Sequence, residues 1–210
     1  MGFLFPVRQS RILYTNKTCV YFANCLGTIV FERYAIPMTS QQIITALKEK
    51  FAGKIIESHD DKHPRVHIHA DVVREVLSFL RYDPAMKFDW LANLSGVDYV
   101  ADDKMAVVYD LWSFDLKHTF AVKAFCERKE PHIPSVVDLW AAADWNEREA
   151  YDMYGIIFDG HPDLRRILCA DDWIGFPLRK DYVFPREYHG IPASVELDWQ
   201  QQSDYPKGHG

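Results

Sequence analysis

The spacing of apolar residues predicts two amphipathic helices in the first half of the chain. The first follows the hydroxyl residues of segment 38–42, which can cap its N-terminus, and ends at Gly53. The second follows Asp71, which we expect to act as its cap, and ends before Asp83-Pro84. The two apolar stripes consist of Ile43, Ile44, Leu47 and Phe51, and of Val72, Val73, Val76, Leu77 and Leu80.

Segments rich in β-branched and aromatic residues predict strands between and after these helices. Residues 54–58 and 65–69 form a predicted pair, and residues 105–114 and 119–126 form a predicted hairpin. The stretch 88–100 before the hairpin is mixed and aromatic. This order of elements predicts an α+β domain, in which a mixed β-sheet has its helices packed on one face.

Capping motifs predict two more helices in the second half. Ser135 and Asp138 have the spacing of a capping box, and Asp144 and Glu147 repeat that spacing. The last helix is expected to end at Gly155, because a left-handed glycine is usual at a helix C-terminus.

Charged residues of the last predicted helix can serve either the fold or a contact with another protein. Arg148 and Asp152 lie four residues apart and can form an ion pair on the helix surface. Glu147 and Glu149 are expected in the first turn, where carboxylates complement the helix dipole. Both roles stay open for each of these charges.

The segment after that helix, residues 161–166, contains two adjacent arginines. His161 precedes a proline, which favours an extended backbone. Because adjacent side chains of an extended segment point in opposite directions, one of Arg165 and Arg166 can bind within the domain and the other can bind a partner carboxylate.

Composition sets residues 1–37 and 173–210 apart from a domain at residues 38–172. The leader holds four basic residues and one acid, and Met38 after it would make a natural start. An over-long start, a disordered or docking arm and a targeting sequence are three open explanations of the leader. In the tail, prolines oppose regular structure while aromatic rings need cover, so we expect an extended arm that docks on a partner. The alternative is that it wraps over its own domain.

The overall charge and the cysteine spacing exclude several classes of function. A net charge of −6 over 210 residues argues against binding to duplex nucleic acid. The four cysteines show no CxxC spacing, and the sequence contains neither GxGxxG nor GxxxxGK[ST], the motifs of dinucleotide and phosphate binding. We therefore expect no prosthetic group in this chain.

A histidine cluster at His59, His63, His67 and His69 is the main candidate for metal chemistry. His67 and His69 face the same side of a predicted strand, and such a pair can bind zinc. Because the other side carries Val66 and Ile68, we expect that side to be buried and both imidazoles to face solvent. A free-standing metal hydrolase built on these histidines is the contrasting hypothesis, and it predicts both bound zinc and activity in the isolated chain.

The run from Pro134 to Phe184 resembles the 30 kDa subunit family of respiratory complex I, the proton-pumping NADH-quinone oxidoreductases. The likeness extends upstream through Phe88-Asp89-Trp90-Leu91 and Gly96-Val97-Asp98-Tyr99 and covers roughly residues 39–185. The family signature fits without a gap at Glu147, Arg148, Glu149, Asp152, Met153, Tyr154, His161, Arg165, Ile167 and Leu168.

The resemblance implies a non-catalytic member of the peripheral arm, which scaffolds the quinone-reducing module. It implies that FMN, iron-sulfur clusters and quinone are held by partner subunits, among them the large quinone-site subunit. It implies a peripheral position on the cytoplasmic side of a bacterial inner membrane, or on an organelle inner membrane if residues 1–37 are a transit peptide. The alternative is the homologous subunit of a membrane-bound hydrogenase or another complex-I-like dehydrogenase.

No residue is expected to take a catalytic, cofactor-binding or metal-binding role. The residues expected to contact other subunits or to carry the signature are Glu147, Arg148, Glu149, Asp152, Tyr154, His161, Asp163, Arg165, Arg166, Arg179 and Tyr182.

Overall fold

A computed structural model of the chain describes residues 38–185 and 187–192, together with the backbone of three short strands near the N-terminus. These strands, β1 (Tyr14–Thr15), β2 (Thr18–Val20) and β3 (Arg33–Ala35), form an antiparallel sheet. The rest of the leader and tail residues 193–210 lie outside the described residues, so the expectations for them stay predictions.

A five-stranded mixed sheet forms the centre of the domain. Its strands are β4 (Ile55–His59), β5 (Arg65–His69), β6 (Trp90–Tyr99), β7 (Lys104–Trp112) and β8 (Thr119–Glu127). Their order across the sheet is β4-β5-β8-β7-β6. The β5–β8 pair is parallel and the others are antiparallel. The predicted strand pair and hairpin are confirmed, and the mixed aromatic stretch contains β6.

Among the described residues, three α-helices accompany the sheet: α1 (Ser40–Lys50), α2 (Val73–Tyr82) and α3 (Ala143–Tyr154). The predicted cap of α1 is confirmed, because the Thr39 hydroxyl accepts from the Gln42 N–H and the Gln42 side chain accepts from the Thr39 N–H. Gly155 ends α3 in the left-handed conformation, with φ of 74°, as predicted.

The predicted caps of the other two α-helices are wrong. A 3₁₀ turn at Ala70–Val72 precedes α2 and contains Asp71, so Val72 occupies the cap position and no side chain caps the helix. In α3 the cap position is Ala142, again without a side-chain cap, and Asp144 lies within the first turn.

The helix predicted at Ser135 is absent from the described residues, and a short strand with turns takes its place. Strand β9 (His132–Pro134) pairs in parallel with β10 (Ile157–Asp159), and turns follow at residues 136–142. Ser135 does not form a box with Asp138, because the Ser135 hydroxyl donates to Glu147 and Asp138 binds Arg74. Two more short strands, β11 (Glu187–Tyr188) and β12 (Ile191–Pro192), form an antiparallel pair.

The hydrophobic core lies between the helices and one face of the sheet. Alternate residues of β5, β7 and β8 join side chains of all three helices in one buried cluster, as expected for an α+β domain. Val66 and Ile68 belong to it and are fully buried, as predicted. The opposite face carries half-buried and exposed side chains such as His67, Val108 and Lys123.

Candidate partner-contact surface

Glu147 is a buried carboxyl that supports the turn after β9. Its side chain is 0% exposed, and its two oxygens accept from the Ser135 hydroxyl at 2.7 Å and the Val136 N–H at 2.8 Å. Burial raises the pKa of Glu147 to about 7 against these hydrogen bonds. The predicted position of Glu147 and Glu149 in the first turn is wrong for both, because α3 begins at Ala143 and Asp144 is the acid of its first turn. Glu149 is exposed on the same helix.

Asp152 holds the chain that follows β10 against α3. It is 0% exposed, and one of its oxygens accepts from three consecutive N–H groups, those of residues 167, 168 and 169, at 3.0, 2.6 and 2.8 Å. Its other oxygen accepts from Arg166 at 3.0 Å. Burial raises the pKa of Asp152, but the backbone donors outweigh that effect and the pKa is lowered overall.

The predicted pair of Arg148 with Asp152 is wrong, because Asp152 is occupied by more distant donors. Arg148 is 5% exposed, lies over the Trp145 ring at 4.7 Å, and approaches Asp163 at 3.9 Å. Its Nε has no hydrogen-bond partner within the described ranges. Arg148 is therefore held mainly by packing.

His161 joins the start of the following segment to α3. Its side chain is 0% exposed, and its Nδ1 accepts from the Asp163 N–H at 3.0 Å. Since Nδ1 is an acceptor, Nε2 carries the hydrogen and donates to the Asp144 carbonyl oxygen at 3.2 Å. His161 acts as a structural bridge here.

The two adjacent arginines point in different directions. The Arg166 side chain is 15% exposed and also donates to the Gly175 carbonyl oxygen at 3.0 Å, so it binds within the domain. The Arg165 side chain is 68% exposed and pairs with Asp163 at 2.9 Å. Arg165 is the one available for a contact outside the domain.

Residues 161–184, here called the loop segment, contain no helix or strand but are tied to the domain at several points. Arg179 donates to the Tyr154 carbonyl oxygen at 2.7 Å and stacks on Phe176 at 4.7 Å. Burial lowers the pKa of Arg179. Phe176 packs so close to Gly155 that a Cβ there would lie 2.4 Å from its ring, so a side chain at this position is excluded. The Tyr182 hydroxyl donates to the Ile174 carbonyl oxygen at 3.1 Å.

A second anchor of the loop segment is Asp98 on β6, which the sequence did not single out as a site residue. Asp98 accepts from Arg128 at 2.8 and 3.1 Å and from the Lys180 N–H at 2.9 Å. The Arg128 hydrogen bonds, followed by that of Lys180, lower the pKa of Asp98 although burial opposes them. Arg128 also binds Asp181. The first part of the predicted tail therefore lies against the domain.

Tyr154, at the end of α3, packs on the sheet beside this anchor. A Cβ at Gly96 would lie 2.6 Å from the Tyr154 ring, so only glycine permits this approach. Burial raises the pKa of the half-buried Tyr154 hydroxyl.

Apolar side chains project from the loop segment into solvent. Ile174 is 88% exposed, Val183 84%, Leu168 62% and Phe184 60%. Ile174 and Val183 line one hollow together with Trp173 and Tyr188, on a segment that hydrogen bonds tie to the domain. Such a grouping is typical of a protein contact site.

The histidine prediction is correct for His69 and wrong for His67. His69 is exposed, but the His67 side chain is only 12% exposed because it lies against Glu57 of the neighbouring strand. Among the described residues, no helix has the length and hydropathy needed to cross a bilayer.

Comparison with known proteins identifies the family. The model of the respiratory-chain NADH dehydrogenase 30 kDa subunit family matches residues 66–188. The NADH-quinone oxidoreductase subunit designated C in Chloroherpeton thalassium is 46% identical over 160 residues, which cover 74% of this chain and 65% of that relative. The relative with the same designation in Chlorobium phaeobacteroides is 45% identical over 162 residues, 72% of this chain and 97% of that one.

Two solved structures share the fold. A trypsin-resistant fragment of Nqo5 matches with a TM-score of 0.53 and 29% identity, covering 60% of this chain and 100% of the fragment. A chain of the archaeal membrane-bound sulfane sulfur reductase, a respiratory membrane complex, matches with a TM-score of 0.60 and 21% identity, covering 81% of this chain and 96% of that chain. At that identity the second likeness concerns the fold alone. The family match covers more than half of the chain, and the chain therefore belongs to the respiratory-chain NADH dehydrogenase 30 kDa subunit family.

Proposed function

We propose that this chain is a non-catalytic peripheral-arm subunit of an NADH-quinone oxidoreductase, in which it holds neighbouring subunits of the quinone-reducing module in position. The complex would pass electrons from NADH through FMN and iron-sulfur clusters to quinone and couple this transfer to proton translocation. The two relatives, both subunits of NADH-quinone oxidoreductases, support this assignment. The isolated chain would have no activity of its own.

The observation that carries the scaffold role is the apolar surface of the loop segment. If a flexible chain carried these exposed apolar side chains, that chain would lose conformational entropy on binding, and this loss would weaken the contact. Here Asp152, Asp98 and Arg128 already fix the backbone, so docking requires little further ordering. The charged groups beside this surface, among them Arg165, would set the orientation of the partner.

The cofactor-free role is supported by the chemistry of the described cysteines. Cys126 and Cys169 are both half-buried, and they are far apart in sequence without a CxxC motif. Burial raises the pKa of the Cys126 thiol to about 11, which keeps it protonated at neutral pH. Iron-sulfur clusters are held by sets of four cysteines, often closely spaced, and these two cysteines do not supply such a set, so electrons would pass through partner subunits.

The partners we propose are the large quinone-site subunit and iron-sulfur subunits of the peripheral arm. Membrane association would occur only through the complex, on the cytoplasmic side of a bacterial inner membrane. Because the sulfane sulfur reductase chain has the same fold, a complex-I-like enzyme with another electron donor is the second candidate.

The test is affinity purification of the complex from detergent-solubilised membranes through a tag on this chain. We expect the wild-type chain to retain iron-sulfur and quinone-site subunits with NADH-quinone activity. Ile174→Asp and Val183→Asp should release the partners, since each places a charge in the apolar contact. Ile56→Asp is the matched control, because Ile56 is also exposed but lies on β4, at the sheet edge opposite β6.

Two results would contradict the proposal. Recovery of the chain alone and active would refute the scaffold role. Co-purification with hydrogenase subunits and no NADH activity would favour the second candidate.

A further inference from the structure

Two histidines and a glutamate converge on the open face of the sheet, away from the loop segment. Glu57 pairs directly with His67 across the antiparallel strands β4 and β5. His59 follows Glu57 by two residues on β4, and residues two apart on a strand share a face. A register shift between Ile55 and Glu57 sets this alignment. The backbone therefore brings the three side chains together.

The distances within this cluster match the spacing of metal ligands. Glu57 Oε2 lies 3.3 Å from His59 Nε2 and 3.2 Å from His67 Nδ1. Tetrahedral zinc has bonds of about 2.0–2.1 Å to nitrogen and oxygen, which places neighbouring ligand atoms about 3.3 Å apart. Each of the three residues offers one ligand atom, and these atoms all lie within 4.8 Å of one another.

The imidazole nitrogen of His59 that faces Glu57 is available for a ligand. His59 Nε2 is buried and has no hydrogen-bond partner in the part of the chain that the structure describes. An unpartnered buried nitrogen is costly, and a cation would satisfy it.

We propose that Glu57, His59 and His67 form a binding site for a zinc-type divalent cation, with water as the fourth ligand. The Glu57 side chain is 57% exposed, which leaves an open side for entry and for that water. The His67 ring packs on the edge of Phe125 at 5.5 Å, which fixes its orientation. A bound cation would tie the edge strand β4 to β5. The site is independent of the proposed scaffold role and involves no redox step.

Lys123 opposes the cation and provides a diagnostic variant. It lies beside His67 on the same face, where it donates to the Tyr99 hydroxyl and lies 5.1 Å from the Phe125 ring centroid. Because a nearby positive charge weakens cation binding, Lys123→Met should lower the dissociation constant of the metal.

The test is a cobalt titration of the untagged full-length chain after removal of metal with a chelator. We expect one Co²⁺ per chain with tetrahedral visible absorption, and displacement of the cobalt by Zn²⁺. His59→Ala, His67→Ala and Glu57→Gln should each weaken binding by about tenfold or more. His69→Ala and His63→Ala are the matched controls, since each removes an imidazole of the same segment outside the cluster.

A thermal measurement gives a second readout that does not depend on cobalt spectra. Zinc at about 100 times its dissociation constant should raise the melting temperature of the wild type by about 5–10 °C. At the same zinc concentration the rise for His67→Ala should be about half of this or less, because binding to the variant is at least about tenfold weaker. Circular dichroism without metal confirms that each variant folds.

Three results would overturn the site. The first is that the wild-type chain binds no cobalt. The second is that wild type and His67→Ala bind cobalt with equal affinity. The third is that the control variants His63→Ala or His69→Ala lose cobalt binding while the cluster variants keep it. An affinity unchanged or weakened by Lys123→Met would also contradict the placement of the cation beside His67.

Discussion

Replacement of Asp152 by asparagine should detach the loop segment from α3. The variant keeps the size of the side chain but removes its charge and one of its two acceptor oxygens. In the native chain those oxygens accept three backbone N–H groups and the Arg166 guanidinium. Asparagine has one acceptor oxygen and can accept from only part of these donors. Its NH₂ group would face a remaining N–H donor, with which it cannot form a hydrogen bond.

The expected cost follows from burial. The Asp152 side chain is 0% exposed and that of Arg166 is 15% exposed, so water replaces little of what is lost. Removing one partner of a buried ion pair costs about 3–5 kcal/mol. For a chain of this size, that loss corresponds to a fall in melting temperature of roughly 6–20 °C if unfolding remains cooperative.

Urea unfolding followed by circular dichroism measures this loss, and limited trypsin digestion shows where it occurs. Asp152→Asn should accelerate cleavage after Arg165 and Arg166 before the sheet unfolds. Glu149→Gln is the control, because Glu149 is exposed on the same helix, and it should leave the unfolding midpoint unchanged. An Asp152→Asn variant with the unfolding midpoint and trypsin sensitivity of the wild type would refute the anchoring role.

Three further predictions concern the core. The Glu147 pKa rises from 4.5 when unfolded to about 7 when folded, so its contribution to stability is full below pH 4.5 and is lost as pH rises to 7. This loss is on the order of 3 kcal/mol. In Glu147→Gln the urea midpoint should therefore depend less on pH between pH 5 and 8 than it does in the wild type. The same pH dependence of the midpoint in both proteins would contradict this. Gly96→Ala should destabilise the domain by about 1–3 kcal/mol, because its Cβ would lie 2.6 Å from Tyr154, and Tyr154→Ala in the same chain should cancel part of the loss measured by thermal melting. Tyr109→Phe should be neutral or stabilise by up to about 1 kcal/mol in urea unfolding, since the buried Tyr109 hydroxyl has no partner among the described residues; a clear loss of stability would reveal a missed hydrogen bond.

The strands and two of the helix ends could be predicted because local signals determine them. The β-branched and aromatic composition of β7 and β8 is a property of neighbouring residues, and it predicted their bounds within two residues. The cap at Thr39 and the left-handed Gly155 are equally local.

The errors arose where distant residues compete for the same group. Ser135 has a capping-box spacing, yet its hydroxyl donates to Glu147, twelve positions further along the chain. Arg148 lies four residues from Asp152, but backbone donors fifteen to seventeen positions away occupy that carboxylate. Local spacing cannot reveal such tertiary partners.

The histidine cluster shows the same limitation in a sheet. Sequence spacing pointed to His67 and His69 as a pair, whereas the register of β4 and β5 places Glu57 directly opposite His67. Cross-strand neighbours depend on register, which the sequence of one strand does not determine. Asp98 and Arg128 were missed as anchors for a similar reason, since thirty positions separate them.

The most direct test of the scaffold role is restoration of quinone reduction in membranes that lack this chain. Deleting its gene should abolish NADH-quinone activity, and re-expression of the wild-type chain should restore both the activity and the assembled complex. The same chain, purified alone, should show no flavin or iron-sulfur absorption and no turnover. NADH-quinone activity that survives the deletion, or a redox cofactor in the pure chain, would contradict the account.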